Sequence, residues 1–141
     1  LGKVVVHAGG HGQGSALKLV NNLLLSIAIE ACAEALLMTE RLGLDPAHLF
    51  AVSAAGGAQM KAMETRGPKM AARDFAAGSS LDNLHKDLAA ALELARSCGA
   101  PVPAGESAFA TMLQGQRLGW GQADSSALFA ALKGVREGDE V

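Results

Sequence analysis

Ser15 to Leu42 reads SALKLVNNLLLSIAIEACAEALLMTERL, with no proline or glycine until Gly43. Ala and Leu are among the strongest helix formers, so this run predicts one helix over 15–42, about 40 Å long at 1.5 Å per residue. Its middle, Leu23 to Met38, is apolar on nearly every side, the pattern of a helix buried all round. A membrane span is the competing reading. Ser26, Glu30 and Glu34 interrupt the stretch, and carboxylates one turn apart are costly in lipid. The buried-core reading is preferred, with no membrane partner.

Working outward, Val4 to His7 is a brief extended run that ends in the glycine loop Gly9-Gly10-His11-Gly12-Gln13-Gly14. Residues 1–14 read as a glycine-rich connection, with Ser15 the N-cap of the long helix. Downstream, Gly43 closes that helix, and Asp45-Pro46 opens a short one reaching Ala54 or Ala55. Ala58 to Thr65 is predicted helical and stopped by Gly67-Pro68. Lys69 to Asp74 then forms a turn or short helix. Leu81, Leu84, Leu88, Leu92 and Ala95 mark a second long helix over 81–98. A weaker helix follows from Pro103 or Ala104 to Leu118, then a turn at Gly119-Trp120-Gly121. Asp124 caps a last helix through Lys133, and the charged tail over 135–141 is expected to fray. The fold class is all-α, six to seven helices around one long central helix, in a single domain over 1–141.

Composition sets further bounds. A chain of 141 residues is one domain's worth, and 50% hydrophobic against 18% charged residues excludes disorder. A net charge of −2 gives no sign of nucleic acid or an anionic membrane as partner. Cys32 and Cys98 are too few for a disulfide scaffold and read as buried thiols of a cytoplasmic protein. A chain that opens at Leu1 in a short extended run is expected to be cut from a longer one.

Two familiar phosphate loops fail here. Gly9 and Gly14 have P-loop separation, but Ser15-Ala16 stand where Lys and Ser or Thr are needed. A dinucleotide fingerprint over Gly12 and Gly14 would need a third glycine where Leu17 lies. The loop is either a flexible connection or a place where Gly12 and Gly14 let backbone approach a ligand at a helix N-terminus.

Lys18 lies about one turn into the long helix. Asn22 is four residues on, hence on the same face, and Asn21 borders it. One reading is a solvated lysine and a structural amide pair. The chemical reading has a mechanism: a helix N-terminus disfavours a cation and partial burial does the same. Both push Lys18 toward giving up its proton near neutral pH, as a general acid or base must. Lys86-Asp87 sits in the second long helix, as an ordinary exposed pair or as a cation reaching a cofactor. His7, His11, His48 and His85 have no metal-ligand spacing, so no metal is assigned.

The run Gly9-x-x-Gly12-x-Gly14-x-x-x-Lys18-x-x-x-Asn22 resembles the signature opening the C-terminal domain of β-hydroxyacid dehydrogenases, the 3-hydroxyisobutyrate and tartronate-semialdehyde reductase type. Arg73-Asp74-Phe75 through Leu84-His85-Lys86-Asp87-Leu88 resembles that family's second block, and Asp124-x-Ser126-Ala127-Leu128 also fits. The resemblance covers essentially the whole chain. It implies a two-domain enzyme in which an upstream Rossmann domain, absent from this chain, binds NAD or NADP, while the helical domain supplies the catalytic lysine and the contacts of a homodimer or tetramer. By that resemblance Lys18 is catalytic, Asn22 orients a small hydroxy-acid substrate with Asn21, Gly12 and Gly14 beside it, and Lys86 with Asp87 reaches the cofactor. Ser79 stands where many members have a Phe near the nicotinamide, which leaves pocket shape and substrate open. Two alternatives are a non-catalytic helical dimerisation module and an imine-reductase-like relative. Imine reductases usually lack a lysine at the position of Lys18.

Overall fold

The computed structural model describes residues 7–76 and 78–141. Six α-helices follow one another: α1 (Gln13–Arg41), α2 (Pro46–Ala55), α3 (Lys61–Ala72), α4 (Leu81–Ser97), α5 (Pro103–Arg117) and α6 (Leu128–Lys133). Two 3-10 turns, Trp120–Gln122 and Ser125–Ala127, join α5 to α6. Among the described residues, extended pairing is limited to one antiparallel bridge, Ser80 with Asp124. The expected extended run at Val4 to Val6 lies outside the described residues, and His7 belongs to no regular element.

Helix α1 is the spine, and all five other helices pack on it. It starts two residues earlier than its sequence suggested. The N-cap is Gly12, at φ +85°, and no side chain caps the helix. Gln13 N–H bonds the Gly10 carbonyl instead, and Ala16 N–H bonds that of Gly12. Glycine alone adopts such a φ at little cost, so the turn, not Ser15, sets the start. Burial is also one-sided. Ser26, Ile29, Cys32, Ala33 and Leu36 are buried, while Leu17, Val20, Leu24, Met38 and Leu42 are exposed. The expectation of burial all round therefore fails within this chain.

Most other boundaries follow local chemistry. The Asp45 carboxylate accepts from Ala47 N–H at 2.8 Å, with Pro46 in the first turn of α2. Ser80 Oγ accepts from Asn83 N–H to cap α4. Helix α3 is the exception, for it runs through Pro68 rather than stopping before it. Packing decides this: Gly67 is buried, and a Cβ there would lie 2.8 Å from both Met63 Sδ and Phe50 Cε1. The glycine lets α2 press on α3 through Phe50. Glu64, whose carbonyl loses its helical donor to the proline ring, is exposed to water.

The tail does not fray. Val135 N–H bonds the Ala130 carbonyl, and Glu137 N–H bonds that of Leu118 at 2.9 Å. Trp120 Nε1 donates to the Val135 carbonyl at 2.7 Å, and Arg73 Nε to that of Val141 at 3.3 Å. Arg73 also bonds Glu40 at 2.8 Å and covers the Phe129 ring, while Lys133 meets the same carboxylate at 2.8 Å. These contacts fasten the C-terminal segment to the ends of α1 and α3. Cys32 is buried as expected, whereas Cys98 at the end of α4 is exposed.

Two glycines let α5 approach its neighbours. A Cβ on Gly105 would sit 2.5 Å from Leu23 Cδ1 of α1, and one on Gly115 would sit 2.6 Å from Leu81 Cδ2 of α4. Leu23 is wedged there, since Leu92 of α4 borders the same space. Replacing Gly105 by Val should therefore lower stability by about 1–3 kcal/mol through overpacking. Leu23→Ala in the same chain should recover part of the loss. Thermal melts of the single and double variants measure this, and a neutral Gly105→Val would contradict the tight approach.

Between α1 and α5 lies an incompletely paired carboxylate. Thr111 Oγ1 donates to Glu30 Oε1 at 2.7 Å, but Glu30 Oε2 and the buried Ser26 Oγ one turn earlier have no partner. Burial pushes the Glu30 carboxyl from 4.5 up to about 7, opposed by the Thr111 hydrogen bond. A raised acid stabilises the fold fully below its unfolded value and loses that contribution as pH climbs through the folded one. Glu30→Gln keeps an acceptor for Thr111 and does not ionise. Its melting temperature should match the parent near pH 4 and exceed it by a few °C near pH 8, a gap opening between about pH 4.5 and 7. A pH-independent gap would show that Glu30 is not the titrating group.

Candidate functional site

At this site helices α1 and α4 meet where the third turn of α1 passes α4 near Asp87. Leu84, Leu88 and Ala91 are buried on the core face of α4. Asp87 lies at helical spacing from Leu84 and Ala91, hence toward that same face, and is half-buried. On α1, Asn22 precedes the wedged Leu23 and is also half-buried. Its Nδ2 donates to Asp87 Oδ2 at 3.1 Å. This bond ties together residues 65 apart in sequence.

Lys18 is one turn before Asn22 on the same side of α1, so their Cβ atoms are about 5–6 Å apart. At 100° per residue, Lys18 and Asn22 fall on the same side of α1 as the buried Ile29 and Leu36. Lys18 is exposed. The partial burial expected of it is not seen: among the described residues no helix covers the first turns of α1. Asn21 is exposed as well and helps line a shallow apolar groove of about 450 Å³ with Leu17, Val20, Leu23, Leu24 and Ile27.

Gly12 and Gly14 are exposed and face open space: a Cβ on either would meet nothing within 4 Å. Packing does not require them to be small, although the turn requires φ +85° at Gly12. Lys86 is exposed, and Ser79 is exposed in the loop before α4. The structure thus joins Asn22 to Asp87 and sets Lys18 one turn away. Gly12, Gly14, Asn21 and Lys86 remain on open surface around that pair.

The Asn22–Asp87 contact was missed by reading each helix alone. The signal existed, because Leu84, Asp87 and Ala91 share one face while Lys86 is rotated off it. His85 is on the other flank, stacked on Phe109 with ring centroids 4.3 Å apart. Burial holds its imidazole below the usual range, with Asp82 opposing. Asp124, expected only as a cap, is buried and accepts from Ser126 N–H at 3.0 Å, with Lys69 Nζ at 3.3 Å and Arg66 Nε at 3.7 Å. Burial works against its charge, yet the Ser126 bonds and the two cations hold its carboxyl below the usual range. The backbone N–H groups of Asp124 and Ser125 bond the Phe75 and Ser79 carbonyls of the loop that leads into α4.

Among the described residues, no group of three or more His, Cys, Asp or Glu could hold a metal ion. An apolar cavity of about 240 Å³ between α2 and α3, lined by Phe50, Met60, Met63 and Pro68 among others, contains none of the residues above.

Comparison with known proteins assigns the architecture to a family. Residues 12–132 match the family described as the NAD-binding domain of NADP-dependent 3-hydroxyisobutyrate dehydrogenase. A 2-(hydroxymethyl)glutarate dehydrogenase of Eubacterium barkeri is 36% identical over 129 residues, covering 91% of this chain and 43% of the relative. The 2-hydroxy-3-oxopropionate reductase of Escherichia coli is 32% identical, covering 94% and 46%. The solved structure of Mycobacterium tuberculosis 3-hydroxyisobutyrate dehydrogenase with L-serine superposes with a TM-score of 0.82 at 30% identity, over 91% of this chain and 46% of that one. The chain thus spans less than half the length of these relatives and matches them along nearly all of its own. It belongs to the NAD-binding, all-helical domain family of the NADP-dependent 3-hydroxyisobutyrate dehydrogenases.

Proposed function

We propose that this chain is the helical half of an NAD(P)-dependent 3-hydroxyacid dehydrogenase and that Lys18 is its general acid and base. The observation that carries this reading is the exposed amine of Lys18 one turn from an amide that is itself held in place by Asp87. A proton-transfer group needs a fixed neighbour to position the reacting oxygen. The face is open, as one wall of a site closed by another domain must be.

The residues present suit a dinucleotide cofactor in part. Lys86 offers an exposed ammonium close in sequence to Asp87, a donor suited to a carboxamide oxygen or a phosphate. Among the described residues no glycine-rich turn runs from a strand into a helix, and most of the cofactor's contacts are assigned to a second domain. When bound, the nicotinamide accepts or returns the hydride at the carbinol carbon of the substrate. In the oxidation direction, Lys18 Nζ takes the hydroxyl proton, and in reduction it gives that proton back to the carbonyl oxygen. Asn22 holds the same oxygen. Gly12 and Gly14 leave room for the substrate beside the first turn of α1, and Asn21 borders it.

In the protein that carries this chain together with its cofactor domain, Lys18→Ala should lower kcat by at least about 100-fold and leave the helical circular dichroism intact. Normal turnover by this variant would support the dimerisation-module reading instead. The isolated chain should show no NAD(P)H-dependent turnover.

The exposed apolar residues suggest how the chain assembles. Met38, Leu42, Leu44 and Val52 are 56–71% exposed at the far end of α1 and along α2, where α2 carries no acidic or basic residue other than His48. A homodimer or tetramer that covers this end accounts for them. Sedimentation velocity should give a dimer or larger, shifted toward monomer by Val52→Glu with Met38→Glu. A monomeric parent would contradict the assembly.

A further inference from the structure

Resting on the dehydrogenase reading, we infer that Asp87 is a positioning residue for Asn22 and not a contact of the cofactor. An ionised carboxylate only accepts hydrogen bonds, whereas an amide offers a donor end and an acceptor end. Asp87 Oδ2 therefore selects which end of Asn22 faces it, and Nδ2 is that end, at 3.1 Å. Asn22 Oδ1 is left turned away from α4. The group that Asn22 presents for chemistry is thus a carbonyl oxygen with one remaining N–H. That N–H suits the oxygen of an alcohol whose proton points to Lys18, and equally the carbonyl oxygen of its ketone or aldehyde product. Without Asp87 the amide could flip by 180° with little change in shape.

The geometry separates Asp87 from its neighbour Lys86. Successive residues on a helix are 100° apart. Asp87 turns toward α1 and is half-buried, while Lys86 is exposed. Leu84, Leu88 and Ala91 fix the register of α4 from the core side, and Leu23, adjacent to Asn22, is wedged against Gly105 and Leu92. Both partners of the bond therefore stand on helices locked by apolar packing, the arrangement that holds a side chain to the tolerance a reacting group needs.

The test is a double-mutant cycle in the protein that carries this chain with its cofactor domain. Asp87→Ala should lower kcat about 10- to 100-fold, with KM for NAD(P) changed by less than about twofold. The same change should cost nothing further once Asn22 is Ala, because the two act as one unit. Asp87→Asn, which can still accept through its own Oδ1, should restore part of the loss. If Asp87→Ala does not fold, Asp87→Ser carries the same comparison. Independent, multiplying effects of Asp87→Ala and Asn22→Ala would overturn the inference, as would an effect confined to the cofactor's KM. Lys18→Ala separates the two levels. If it abolishes turnover while the other two effects multiply, the positioning role falls alone. If it turns over normally, the dehydrogenase reading falls and the positioning role with it.

Discussion

Leu23 of α1 presses into the space left by the missing side chain of Gly105 and borders Leu92 of α4. The remaining geometry at the site depends on that close approach. With no Cβ on Gly105, α5 comes near enough to α1 for Leu23 to fill the seam between three helices, and α4 is fixed in the same step. The next residue back, Asn22, then faces α4 at the height of Asp87 and bonds it at 3.1 Å. An apolar contact sets the distance and a polar contact uses it. The order matters energetically: burying a side chain such as Leu contributes about 2 kcal/mol and has no preferred direction, whereas a hydrogen bond to a charged group is strongly directional. Packing places the elements, and the bond then orients the amide.

The same division of labour recurs away from the site. Arg73 adopts φ +58° at the end of α3, a backbone region costly for any residue but glycine. The guanidinium nevertheless meets Glu40, the Met70 carbonyl and the Val141 carbonyl, and lies 4.5 Å above the Phe129 ring. The Asp124 carboxylate gathers Ser126 N–H, Lys69 and Arg66, while the backbone N–H groups of Asp124 and Ser125 bond the Phe75 and Ser79 carbonyls of the loop before α4. Several donors or acceptors converge in each place, on the partly exposed Arg73 guanidinium and on the buried Asp124 carboxylate. Glu30 is the contrast, with one oxygen satisfied by Thr111 and the other orphaned, and burial shifts its titration accordingly.

Local chemistry made much of the fold legible in the sequence. Asp45-Pro46 and Gly43 act at the boundaries where their residue types predict, and Asp124 caps the 3-10 turn that leads into α6. Apart from the start of α1, where the local turn at Gly12 replaces Ser15, the errors come from tertiary contact overriding a local rule. Gly67-Pro68 reads locally as a stop, but Gly67 admits Phe50 and the helix continues. The tail was expected to fray, but Trp120, Arg73 and Leu118 hold it. The long helix looked buried on every side, yet one strip of it faces outward, because hydropathy records the need for a partner without naming it. At the site, family resemblance supplied Lys18 and Asn22, and helical spacing put them on one face. The carboxylate that fixes the amide was read as part of a Lys-Asp pair along the chain. Adjacent residues on a helix point apart, and the partner of Asp87 lies across the helix interface, where no one-helix pattern can reveal it.

The account treats this chain as one wall of a cleft, with an exposed amine awaiting a roof. It is tested most directly by a crystal structure of the protein that carries this chain with its cofactor domain, bound to NAD(P) and a 3-hydroxy acid. The account predicts Lys18 Nζ within about 2.6–3.2 Å of the substrate hydroxyl oxygen, with the nicotinamide ring on the opposite side of the carbinol carbon. A substrate seated elsewhere, with Lys18 still facing solvent, would contradict it.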